Sequence, residues 1–108
     1  MMEILKPYRK KIDDLDDQIV DLLVQRENII HEVAALKFKH NISAVLQDRV
    51  DEVRERNAAH ALAKGASEDF MRSLCAKIIA FSCDLEEEMM ADMHQKNTKQ
   101  YNHKKGAL

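Results

Sequence analysis

The residues Leu5, Tyr8, Ile12, Leu15, Ile19, Leu22, Arg26, Ile29, Val33 and Leu36 step along the chain at alternating intervals of three and four. That spacing lines up one face of a helix. Held unbroken, it commits residues from about 7 to 39 to a single helix, with Pro7 tolerated in its first turn. Such a helix is roughly 50 Å long, about twice the width of a compact domain of this size. One chain cannot cover an apolar stripe of that length, whereas a second copy of the chain can.

The rest of the sequence agrees with an all-α fold. In 108 residues there are two glycines and one proline, and aromatics make up 5%, which leaves little to build turns or sheets with. The stretch HNISAV, residues 40–45, has no periodicity and reads as the loop ending the long helix. A shorter helix is predicted from about Gln47 to Lys64, with Leu46, Val50, Val53 and Ala61 on one side and Gly65 closing it. Ser67 then suits an N-cap, with Glu68 and Asp69 in the first turn, where negative charge favours the helix dipole. A third, medium-length helix follows to about Met93, its apolar side built from Phe70, Leu74, Ile78, Leu85 and Met89. Residues 1–93 thus form the domain, and 94–108, HQKNTKQYNHKKGAL, form a basic polar tail expected to fray. The expected architecture is a chain of long, short and medium helices entwined with a second copy as a homodimer.

Charge and cysteine usage narrow the setting. The formal charge is −2, but Lys96, Lys99, Lys104 and Lys105 all follow the last acid, Asp92, so the body is more acidic than the total. This argues against nucleic acid as a partner. No apolar run is long enough to span a membrane, and MMEILKPYRKKIDDLDD turns charged too soon for a secretion signal. Cys75 and Cys83, on one helix, would lie about 12 Å apart along its axis, too far for a disulfide. They read as buried or half-buried thiols of a reducing compartment, and the expected location is cytoplasmic.

Arg26 is the anomaly of the long row. A polar residue in a heptad seam is often a register device, though Asn or Lys is more usual there. Lys37, eleven residues on, falls within about 20° of the same face. Two cations on a buried face with no acid between them repel each other, and a bound anion would resolve the conflict. The competing reading lets both tips reach solvent over covered stems, which suits Lys37 better than Arg26. On the third helix Ser82 and Glu86 stand four apart, one above the other. With Arg49 at the start of the second helix they complete a candidate cationic pocket holding one hydroxyl and one acid. The acidic runs DDLDD and EEE read as solvated helix faces. The five histidines show no metal-ligand spacing, and no glycine-rich phosphate loop or nucleophile motif is present.

Taken together, YRKKIDDLDDQIVDLLVQR, RENIIHEVAALK, QDR and IIAFSCDLEE resemble the small all-helical chorismate mutases, the AroQ class, and their relatives the isochorismate-pyruvate lyases. The likeness spans residues 5–90 or so. It implies an intertwined dimer with two equivalent sites and a dianionic substrate, chorismate. By the resemblance, Arg26 and Ser82 hold the ring carboxylate, Arg9 and Lys37 the enolpyruvyl carboxylate, and Lys37 and Glu86 meet at the breaking ether oxygen while Arg49 lines the pocket. Arg9 lies about 25 Å from Arg26 along one helix, so only the partner chain could supply it. The implied reaction is an intramolecular rearrangement needing no cofactor and no metal.

Three positions depart from the family pattern. Val50 stands where a Glu commonly binds the ring hydroxyl, and Leu46 matches an Asp of some members. Loss of that acceptor keeps a lyase acting on isochorismate as the alternative. Glu86 stands where many members have Gln, and it can donate to the ether oxygen only when protonated. Activity is therefore expected to decline as pH rises, and Glu86→Gln to flatten the profile. An alternative of another class is a non-catalytic dimeric interaction module with Arg26 fixing its register.

Overall fold

The computed structural model describes the backbone of residues 2–106 and the side chains of residues 3–98. It is all-helical among the described residues: α1 spans Met2–Lys39, α2 Gln47–Ala63 and α3 Glu68–Gly106. The helix ends follow local chemistry. Asn41 takes a left-handed backbone (φ 56°), and Asn41 and Ile42 return their N–H groups to the carbonyls of Phe38 and Lys37. The same pattern closes α2: Gly65 is left-handed (φ 84°), and Gly65 and Ala66 donate to Leu62 and Ala61. Both are Schellman closures, which satisfy carbonyls that a helix end leaves free. Ser67 Oγ accepts from Phe70 N–H at 3.1 Å, the expected N-cap of α3.

Two boundaries differ from expectation. α1 begins at Met2 rather than near residue 7, so Pro7 lies inside it. So close to the N-terminus the ring removes one helical bond, that to the carbonyl of Glu3. α3 continues to Gly106, past the end expected near Met93. No glycine or proline intervenes between Gly65 and Gly106, so nothing in the chain stops the helix earlier. The ring of Phe38, at the end of α1, stands edge-on to His94 with centroids 6.2 Å apart. The side chains of Lys99, Lys104 and Lys105, and residues 107–108, lie outside the described residues.

Among the described residues α1 and α2 each pack against α3 and not against each other. The buried seam of α3 is Cys75, Ile79, Ser82 and Glu86. This corrects the expected face: Ile78, Leu85 and Met89 are half-buried, while Phe70 (63% exposed) and Leu74 face outward. The seam follows the line above which α1 and α2 flank α3, and bulkier neighbours point out of the layer. On α2, Val50 and Val53 are half-buried and Ala61 buried as expected, joined by Ala58, but Leu46 is exposed.

The molecule measures 76 × 32 × 15 Å, which is one layer of helices, each 10–12 Å across with its side chains. Its accessible surface is 9007 Å², against roughly 6,200 Å² for a compact monomer of this mass. Along α1, Leu5, Tyr8, Ile12, Leu15, Ile19, Leu22, Ile29 and Leu36 are all exposed, and only Arg26 and Val33 of the long row are half-buried. No helix of the described residues is long and apolar enough to cross a membrane.

Candidate active site

Because α1 and α2 stand apart on a common floor, a cleft opens between them. It holds a cavity of about 360 Å³ that is lined by Arg26 and Lys37 of α1, Leu46 before α2, Arg49 and Val50 of α2, and Ser82 and Glu86 of α3. Seven of the eight residues singled out in the sequence therefore share one cavity. Arg9 is the exception: it lies near the start of α1, in a separate shallow depression with Lys6, Lys10, Glu3 and Asp13.

The polar groups occur in two connected pairs. Arg26 Nη1 donates to Ser82 Oγ, and Ser82 Oγ donates to the carbonyl of Ile78 at 2.9 Å. Ser82 is only 5% exposed, so it anchors one edge of the guanidinium from inside the fold. The second pair lies three turns along α1. Lys37 Nζ donates to the carbonyl of Ala44 at 2.7 Å and sits 2.7 Å from Glu86 Oε1. That second contact is close enough for an ion pair but lacks the alignment of a hydrogen bond, which leaves the buried Oε1 without a hydrogen-bond donor among the described residues. Glu86 is as buried as Ser82.

The remaining wall is mostly apolar. Ile29, Ile30, Val33, Val53 and Ile79 join Leu46 and Val50, so the α2 side offers no side-chain acceptor beside Val50. Arg49 is exposed at the rim and pairs with Glu52 at 2.8 Å, an arrangement that costs little to exchange for a ligand. Cys83 also lines the cavity. Burial, and next the carboxylate of Glu86, push its thiol up from the ordinary value, so it is a neutral wall group rather than a nucleophile. Sequence reasoning missed Cys83 and the Ala44 carbonyl. The first was signalled by adjacency to Ser82; the second, a backbone group, had no signal.

The chemistry available is that of fixed charge. Two guanidinium forks match carboxylates, and an ammonium beside a carboxyl can meet charge that develops on an oxygen. Among the described residues no group of three or more His, Cys, Asp or Glu could hold a metal ion.

A family model described as chorismate mutase type II matches residues 8–87. Neither a search of curated proteins nor one of solved structures gave a match. The matched span takes in Arg9 and every cavity residue named above, and ends one residue after Glu86. With most of its length matched and its fold all-helical, the chain belongs to the chorismate mutase type II family, a family of isomerases.

Proposed function

We propose that the cavity converts chorismate to prephenate by an intramolecular rearrangement, without cofactor, in a homodimer. The observation that carries this reading is the pairing inside one cavity of Arg26 with Ser82 and of Lys37 with Glu86. Arg26, held by Ser82, takes the ring carboxylate. Lys37 takes the enolpyruvyl carboxylate together with Arg9 of a second chain, and Arg49 covers the rim. These contacts hold a flexible dianion in its compact, reactive conformer. Lys37 and protonated Glu86 then donate to the ether oxygen as negative charge builds on it. Without ligand, Lys37 and Glu86 face each other as an ion pair.

The dimer is supported by the thin layer and the exposed row of α1. Two α1 helices laid antiparallel can match every position of the row: Leu5 against Leu36, Tyr8 against Val33, Ile12 against Ile29, Leu15 against Arg26 and Ile19 against Leu22. In that register Arg9 of one copy comes level with Glu32 and Val33 of the other, beside the wall that carries Lys37. The dimer would then complete the site as well as the core.

The test supplies chorismate and, separately, isochorismate to the purified parent chain and to Glu86→Gln at acidic and neutral pH, with products separated by chromatography. Prephenate is expected, formed faster at acidic pH by the parent and with a flatter profile by Glu86→Gln. Salicylate and pyruvate from isochorismate with little prephenate would replace the reading by a lyase, and no product from either substrate by an interaction module. The family match favours neither alternative.

A further inference from the structure

A second hollow opens farther along the same cleft, toward the start of α3. Its volume is about 440 Å³, and Arg26, Arg49 and Arg56 line it together with Asn57, Met71 and Cys75. No carboxylate belongs to its lining among the described residues. Arg49 is paired with Glu52, whereas Arg26 and Arg56 have no ion-pair partner among the described residues, and an anion between them would supply the missing charge.

Arg56 differs from the other arginines of α2. Arg49 pairs with Glu52 at 2.8 Å, and Arg54 pairs with Asp51 at 3.3 Å and Glu55 at 3.0 Å. Glu52, one turn before Arg56, is turned toward Arg49. Arg56 is thus left without an ion pair among the described residues, exposed at the edge of the hollow. Arg49, Val53 and Arg56 recur at four and three residues, so they share one face of α2. The two hollows have Arg26 and Arg49 in common. One end of the cleft, under the 40–46 loop, carries Lys37 and Glu86; the other carries Arg56.

We propose that Arg56 is a capture residue, the outermost of a line of guanidiniums that draws a small dicarboxylate into the cleft and passes it by way of Arg49 to Arg26. The dicarboxylate class rests on the function proposed above. Arg56 touches none of the reacting atoms. A cation so placed raises the rate of productive encounter with a dianion, and salt screens its effect.

The experiment compares kcat and kcat/KM for chorismate in the parent, Arg56→Gln and Arg54→Gln at low and high ionic strength. Arg54 serves as the control because it is already paired with acids. Arg56→Gln is expected to lower kcat/KM about three- to tenfold at low salt with kcat unchanged, and the difference to vanish at high salt. Arg54→Gln should follow the parent. A loss that persists at high salt, a fall in kcat, an equal loss in Arg54→Gln, or no loss at low salt would each overturn the proposal. If the parent binds chorismate without converting it, the mutase reading fails alone. The same comparison is then made on the association rate constant of chorismate by stopped flow, with the same outcomes for and against. A parent that neither binds nor converts chorismate overturns both.

Discussion

Ser82 uses its hydroxyl twice, accepting from Arg26 and donating to the carbonyl of Ile78. Alanine in its place keeps the fold but leaves that edge of the guanidinium free to turn. Ser82→Ala should lower kcat/KM roughly 10- to 100-fold, the worth of a hydrogen bond to a charged group, mostly through KM. Steady-state kinetics beside a thermal melt decide this, and an unchanged KM would remove Ser82 from the role of positioning Arg26. Residues of this kind were legible to different degrees. Arg26 stands out because a permanent charge in an apolar row demands an explanation, and Lys37 because it follows eleven residues later near the same face. Ser82 and Glu86 showed only through their spacing of four and their likeness to a family pattern. The Ala44 carbonyl, which takes the directed bond of Lys37, leaves no mark in a sequence. Arg56 lies in RVDEVRER, where one arginine looks like another until the acids have chosen their partners.

At the scale of elements, α2 is clamped to α3 by Arg72, which reaches Glu55 across the contact at 3.1 Å and holds Glu68 and Asp69 on its own helix. Hydrogen bonds from Arg54 and then Arg72 hold the Glu55 carboxyl below the ordinary glutamate value of 4.5. A depressed folded value means that the contribution of Glu55 is complete above 4.5 and is lost as pH falls through the lower value. Thermal melts between about pH 3 and pH 7 should therefore place the parent above Glu55→Gln near neutrality and bring the two together in acid. A gap that stayed constant with pH would refute the clamp. The effect is small because the pair is exposed to water. Helix number and the inner helix ends were readable, since Gly65 and Ser67 each do something only certain residues do well. The outer ends were not. Pro7 suits the first turn of a helix from about residue 7 but can also sit one turn in, and the polar run after Met93 lacks an apolar face yet holds no helix breaker before Gly106. The buried side of α3 was misjudged for a related reason: a seam of Cys75, Ile79, Ser82 and Glu86 is too small and too polar to look like a core.

At the scale of the molecule, a layer 15 Å thick leaves its large apolar side chains, Ile79 apart, half covered at best among the described residues. The proposed dimer makes a sharp prediction there, because a site that draws Arg26 from one chain and Arg9 from the other can be restored by mixing. Arg9→Ala and Arg26→Leu should each be nearly inactive alone. Refolded together in equal amounts they should recover about one quarter of parent activity, since half of the random dimers then hold one intact site. No recovery, with mixed dimers shown to form by mass spectrometry, would mean that Arg9 serves no site across the interface. The separation of α1 from α2 carries a further consequence. Where a bundle would have a third seam of side chains, this chain has a slot, and whatever fills it becomes packing material between two helices. Substrate would be held by the same contacts that tighten the fold. Letting product go would loosen the fold again, which would couple release to the opening of the slot.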